Sequence, residues 1–177
     1  GHGRMGRSFH SPEGMGIYLS ILLRPGCAPT ELMHLTCATA VAMCEAVENA
    51  TGLRPGIKWT NDLVCGTGKL GGILTELGLS PKGNVDYAII GIGINCSQQK
   101  CDFPEEIRDI ATSLDMVTGK QNKPAALAAA MLESLHRMDA RLLTEKNLIL
   151  AEYRRSCVTV GKKISVVRGD EIRHGTA

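Results

Sequence analysis

The first seven positions, Gly1-His-Gly-Arg-Met-Gly-Arg7, crowd glycine and arginine into one short stretch. The spacing satisfies G-x-G-x-x-G, which marks a dinucleotide fold only where a strand precedes it and a helix follows. Here Pro12 and Gly14 break any helix and a strand comes next, so the Rossmann reading is dropped. The physical content of the loop survives. Glycines let backbone N–H groups turn toward a ligand without Cβ interference, and Arg4 and Arg7 offer forked donors suited to phosphate or carboxylate. A Gly-rich surface loop with solvated arginines accounts for the same residues.

Three further stretches carry candidate chemistry. Lys58-Trp-Thr-Asn-Asp-Leu63 sets a cation, an amide and a carboxylate where an apolar strand gives out. Lys58 could neutralise a phosphate, Asn61 could orient a polar ligand group, and Asp62 could hold a divalent cation or accept a proton from an incoming amine. The plain alternative is an Asn-Asp turn with Trp59 packed in the core. Gly66-Thr-Gly-Lys-Leu-Gly-Gly-Ile-Leu74 is not a nucleotide P-loop, because positions 63 and 70 are both Leu where that pattern needs Gly and Ser or Thr. Lys69 stands at the mouth of a strand whose Gly71 and Gly72 would let a ligand lie close to the backbone, although an exposed hairpin lysine fits the pattern too. In Ile89-Ile-Gly-Ile-Gly-Ile-Asn95, Gly91 and Gly93 alternate with Ile at strand period and so face one side of the sheet. That leaves either a groove for a slender apolar ligand or a tight helix-on-sheet contact.

The elements that must position these residues follow from periodicity. Ile17 to Leu23 is an apolar run suited to a strand buried on both faces, ended by Pro25-Gly26. From Thr30 to Ala50, apolar residues including Leu32, Leu35, Met43 and Val47 recur at helical spacing, with Thr30 as N-cap and Gly52 as stop. Strands are expected at Ile57–Trp59, Leu70–Leu77 and Val85–Asn95, with Leu63-Val64-Cys65 as a link and Gly66-Thr67-Gly68 as a turn. Helices are expected over Pro124–Leu143 and Leu148–Arg155. Lys163 to Ala177 reads as two strands around a Gly169-Asp170 turn. The sum is an α+β fold, a mixed or antiparallel sheet covered by helices.

Composition narrows the classes. The 177 residues suffice for one well-buried domain, or one plus the start of a second. No apolar run approaches the roughly 18 residues that would span a bilayer, so no membrane partner is expected. With 20 Lys and Arg against 18 Asp and Glu, net charge gives no ground for non-specific nucleic-acid binding. The seven cysteines show no C-x-x-C spacing. They read as free, buried small hydrophobes, Cys37 and Cys44 on a helical stripe, and their odd number suits a reducing cytoplasm. Both ends of the chain are expected to be cuts through a longer protein.

The four stretches, in their order and spacing, resemble the biotin protein ligases. That family's Gly-Arg-Gly-Arg-x-Gly-Arg loop, followed by an aromatic and Ser-Pro, is similar to Gly1–Arg7 with Phe9, Ser11 and Pro12. Its Lys-Trp-Pro-Asn-Asp-Leu resembles Lys58–Leu63, its Lys-Leu-x-Gly-Ile-Leu matches Lys69, Leu70, Gly72, Ile73 and Leu74, and its Gly-x-Gly-Ile-Asn matches Gly91, Gly93, Ile94 and Asn95. The resemblance implies a class II synthetase-like catalytic domain at 1–157 and the start of a small SH3-like β-barrel at 158–177. It implies an ATP- and Mg2+-dependent enzyme that makes biotinyl-adenylate and transfers biotin to a lysine of a biotin carboxyl carrier protein domain of acetyl-CoA carboxylase or a related carboxylase.

By the same resemblance Arg4, Lys58, Asp62 and Lys69 would be catalytic, with Asp62 the magnesium ligand. Gly1, His2, Gly3, Arg4, Gly6, Arg7 and Phe9 would fold over biotin and the adenylate. Lys69 would contact the acyl phosphate, Gly72, Gly91 and Gly93 would line the biotin slot, and Lys58, Asn61, Asp62 and Asn95 would serve ATP, magnesium and the incoming lysine. Two departures stand out: His2 replaces arginine and removes a permanent charge, and Thr60 replaces proline and removes local rigidity. Side chains that recognise biotin's ureido ring would lie before Gly1. A biotin-sensing repressor would need a helix-turn-helix there, and only then would DNA be a partner. A lipoate ligase on the same scaffold would carry Arg-Arg-x-Ser-Gly-Gly-Gly, which is absent from this sequence. A non-catalytic module would bind biotin without releasing pyrophosphate, and an open sheet edge could form a homodimer.

Overall fold

The computed structural model describes residues 1, 3, 6 and 8–177; His2, Arg4, Met5 and Arg7 lie outside the described residues. Five strands form an antiparallel sheet: β1 (Gly16–Leu23), β2 (Gly56–Lys58), β3 (Asp62–Cys65), β4 (Gly68–Leu79) and β5 (Val85–Asn95), in the order β1-β5-β4-β3-β2. Helices α1 (Leu35–Thr51), α3 (Pro124–Arg141) and α4 (Lys146–Ser156) cover one face, with a short α2 (Leu114–Thr118) between β5 and α3. A separate hairpin, β6 (Lys163–Arg168) with β7 (Glu171–Thr176), turns at Gly169, where φ is 58°. Among the described residues no helix is long and apolar enough to cross a membrane.

The core lies between the sheet and α1. Along β5, Ile90, Ile92 and Ile94 are buried toward the helices while Ile89, Gly91 and Gly93 face the other way, as period-two alternation requires. α1 is buried almost all round because it sits between β4 and the pair α3 and α4. Its alanines at 38, 40, 42 and 46 allow close approach, and Leu35 and Met43 each contribute about 1.5–3 kcal/mol by burial. The helix stops at Gly52, whose φ of 77° is open to glycine at little cost and whose N–H donates to the Glu48 carbonyl at 2.8 Å.

Four expectations about the elements need correction. Thr30 is not the cap of α1: Pro29–Glu31 forms a separate 3-10 turn, tied by Glu31 Oε2 accepting from Ala28 N–H at 2.8 Å, and α1 begins after His34. Leu63-Val64-Cys65 is strand β3 rather than a link. β1 is not buried on both faces. It is an edge strand, and Tyr18, Ser20 and Leu22 stay exposed because the helices cover only the opposite side. The cysteines are all free, yet only Cys44, Cys96 and Cys157 are buried, and Cys101 is exposed.

A bulge interrupts the pairing of β3 with β4. Leu63 opposes Gly71 but Val64 opposes Lys69, so Leu70 is the extra residue. Strict alternation from Gly72 would turn Leu70 to the open face and Lys69 into the helix layer. With the bulge, Leu70 is fully buried and Lys69 emerges on the open face.

Candidate functional site

The open face of the sheet is the floor of a cleft of about 460 Å³. Register assembles that floor: Tyr18 pairs with Gly93, Ser20 with Gly91, Leu74 with Gly91 and Gly72 with Gly93, so these positions share one face. Gly1, Gly3, Ser8 and Phe9 from the opening loop form its upper wall, closed on itself where Phe9 N–H donates to the Gly1 carbonyl at 2.8 Å. Asn61, Asp62 and Lys69 line it as well.

The two β5 glycines do different work. A Cβ on Gly93 would lie 2.8 Å from Phe9 Cε1, so this glycine seats the aromatic ring. A Cβ on Gly91 would meet nothing closer than 3.8 Å, so the space above it belongs to the cleft. Among the described residues no helix lines this face, which decides for the groove over the tight helix contact.

Asp62 and Lys69 form an ion pair, Nζ to Oδ1 at 2.7 Å, with both side chains partly exposed. Asn61 Nδ2 donates to the Ile73 carbonyl at 3.0 Å and, at 3.4 Å, to Asp62 Oδ1. The Lys69 ammonium also lies 5.9 Å from the centre of the Phe9 ring. The turn carrying Asn61 is held from α4, where the Tyr153 hydroxyl donates to the Thr60 carbonyl at 3.0 Å. The Trp59–Thr60 peptide is cis. Trp59 is 69% exposed, so the alternative of a core tryptophan beside an Asn-Asp turn fails.

Of the residues singled out from sequence, Gly1, Gly3, Phe9, Asn61, Asp62, Lys69, Gly72, Gly91 and Gly93 meet in this cleft. Lys58 does not line it. It is exposed on β2 and pairs across the ladder with Asp62, which puts it at the rim on the same face. Asn95 is buried at the end of β5, outside the cleft lining, and donates to the Thr112 carbonyl at 2.9 Å. Gly6 is exposed and lies outside the cleft lining, while His2, Arg4 and Arg7 lie outside the described residues.

Tyr18, Ser20 and Leu74 are lining residues that sequence reasoning missed. The signal was available only through register with Gly91 and Gly93, which a single strand does not reveal. The Tyr18 phenol is pushed up by burial and, secondarily, by the neighbouring Cys96, with a hydrogen bond from Gln98 pulling the other way. Chemically, the cleft offers open space above Gly91 for a slender ligand, an aromatic wall, and a lysine ammonium able to meet phosphate, paired with a carboxylate.

The biotin/lipoate A/B protein ligase family matches over residues 1–95. The bifunctional ligase/repressor BirA of Bacillus spizizenii is 46% identical over 121 residues, covering 68% of this chain and 37% of that protein. The biotin--[acetyl-CoA-carboxylase] ligase of Mycobacterium tuberculosis is 29% identical over 174 residues, 94% of this chain and 60% of that one. The chain thus spans less than two thirds of either relative's length. The structure of the Aquifex aeolicus biotin protein ligase in complex with biotin and ATP superposes with a TM-score of 0.82 at 30% identity, over 99% of this chain and 71% of that one. With the family's match covering the strands and the loop that build the cleft, the chain belongs to the biotin/lipoate A/B protein ligase family.

Proposed function

We propose that this chain is the catalytic core of an ATP-dependent biotin protein ligase. The observation that carries the reading is one cleft in which open space above Gly91, walled by the Phe9 ring seated on Gly93, is joined past Gly72 to the Lys69–Asp62 pair. Such a slot takes a thin apolar tail and meets its carboxylate where phosphate charge can be balanced. The similarity to a ligase structure holding biotin and ATP supports the same reading.

Two steps follow. The biotin carboxylate attacks the α-phosphorus of ATP, giving biotinyl-adenylate and pyrophosphate. A lysine amine of a biotin carboxyl carrier protein then attacks the acyl carbon and AMP leaves. Lys69 balances charge on the phosphate in both steps, Asn61 orients the ligand, and Asp62 takes the proton that the amine gives up. Lys58 at the rim adds positive charge toward the triphosphate. Among the described residues no group of three His, Cys, Asp or Glu side chains could hold a metal ion. Asp62, the carboxylate that lines the cleft, would hold magnesium, which would supply charge neutralisation when bound. Residues 1–157 are the catalytic domain and 158–177 the beginning of a second, small β domain; the reaction is assigned to the cytoplasm.

Incubating the protein with biotin, ATP, Mg2+ and a carrier domain, then probing with streptavidin, tests the reading. Label on the carrier that depends on ATP is expected. Biotin binding without ATP-dependent label would replace the ligase by a binding module.

A further inference from the structure

At the end of β5, beside the cleft and on the same face of the sheet, runs a chain of hydrogen bonds whose direction is fixed at one end. Asn95 Nδ2 donates to the Thr112 carbonyl at 2.9 Å. A carbonyl only accepts, so the Asn95 nitrogen must face it and Oδ1 must face the other way, toward Gln98. Gln98 Nε2 donates to that Oδ1 at 3.2 Å and reaches the Tyr18 hydroxyl at 3.4 Å. Turning the Gln98 amide over would set two acceptor oxygens against each other, even though its Oε1 is buried with no hydrogen-bond partner as it stands. Nor can Gln98 move away readily. Its side chain is fully buried and its carbonyl accepts from Ser113 Oγ at 2.6 Å.

The Tyr18 oxygen therefore receives a hydrogen bond, and its own proton has no acceptor on Gln98 to return to. Tyr18 is 40% exposed in the cleft wall, with its ring edge-on to Phe9 at 6.3 Å between centroids. We infer that Tyr18 is a ligand-binding residue that donates its O–H to an oxygen of the molecule held in the cleft, and that Gln98 is the positioning residue that orients this donor. The inference rests on the ligase reading for the identity of that molecule, whose oxygen belongs either to biotin or to the nucleotide. Asn95 then acts through Gln98 and Tyr18 from the buried end of β5.

Calorimetric titration with biotin alone, ATP alone and the non-hydrolysable analogue biotinol-5′-adenylate would test this on the wild type, Tyr18→Phe, Gln98→Leu and the double variant. Tyr18→Phe is expected to weaken the analogue about threefold to tenfold, the range of one neutral hydrogen bond. The parallel loss with biotin or with ATP identifies which one supplies the oxygen. Gln98→Leu is expected to weaken binding in the wild-type background and to have no further effect in the Tyr18→Phe background, whereas a merely structural role would cost the same in both. In ligand-free protein labelled at the tyrosine Cζ, Gln98→Leu should shift the Tyr18 resonance. Wild type that binds with Tyr18→Phe equal to it overturns this inference and leaves the ligase reading standing. Wild type that binds none of the three overturns the ligase reading and the donor role with it. An unmoved Cζ resonance, or equal costs in both backgrounds, overturns the part assigned to Gln98.

Discussion

Adjacent glycines on β4 should respond to the same substitution in opposite ways. Gly71 faces the strand interior, where an added Cβ would lie 2.5 Å from the Gly93 carbonyl oxygen and 3.4 Å from Ile94 Cα. Both obstacles are backbone, so Gly71→Ala can be accommodated only by parting β4 from β5. Overpacking of this kind costs about 1–3 kcal/mol, against which alanine recovers about 0.4–1 kcal/mol from the unfolded chain. A net loss near 1–2 kcal/mol should lower Tm by roughly 2–8 °C for a protein of this size. Because Gly93 is floor, binding should fall as well. Gly72 faces the cleft, where an added Cβ would meet Lys69 Cε and Nζ at 3.5 Å and Asp62 Oδ1 at 3.6 Å, ordinary contact with flexible groups. Gly72→Ala should leave stability within about 0.5 kcal/mol of the wild type or raise it slightly, while crowding the ion pair and reducing affinity. Urea denaturation at constant m, alongside titration with biotin, reads both quantities. Equal stability of the two variants would refute the assignment of these glycines to opposite faces.

Lys69→Met should weaken an adenylate analogue by about 1.5–3 kcal/mol in calorimetry, since a charge-assisted contact is lost. Its stability should change by less than about 1 kcal/mol, because the Asp62 pair is partly exposed. Burial pushes the Cys44 thiol up to about 12 from the usual 9.0. In the fold it holds its proton more tightly than in the unfolded chain. Its contribution is therefore complete below pH 9 and is lost as pH rises toward 12, and Cys44→Ala should flatten that alkaline decline in Tm. At pH 8, iodoacetamide should modify exposed Cys101 well before Cys44, read by peptide mass spectrometry. Tyr153→Phe removes the donor to the Thr60 carbonyl and should cost about 0.5–1.5 kcal/mol in denaturation, with weaker adenylate binding because the Asn61 turn loses its tie to α4.

Much of this architecture was readable from local pattern. The Gly and Ile alternation of β5 separated its two faces, although it left the glycine side as either a groove or a helix contact, and the periodicity of α1 with Gly52 at its end located the central helix. What was not readable depended on partners. α2 is five residues long, too short to show periodicity, although Ser113 caps it by accepting from Met116 N–H at 3.2 Å and Gly119 closes it. The apolar run of β1 matched a doubly buried strand, and only its place at the sheet edge exposes Tyr18 and Leu22. Asn95 was legible as polar at a strand end, but its burial follows from where Thr112 returns. The loop arginines Arg4 and Arg7, the strongest anion signal in the sequence, lie outside the described residues.

The extra residue at Leu70 constrains how this hairpin can change length. Loop tips normally tolerate insertions, and the Gly66–Gly68 tip is no exception, since residues added there leave the phase of both strands intact. Between Lys69 and Gly72 the phase depends on the irregular step: with Leu70 and Gly71 both kept and the strand straightened, the ammonium group would swing into the oily layer beside α1 and a leucine would face the ligand instead, whereas losing one of the two would remove the step and leave the lysine pointing as it does. Engineers grafting this hairpin onto another sheet would have to carry the irregular step along with the lysine, because the amino acid alone does not specify which way it points.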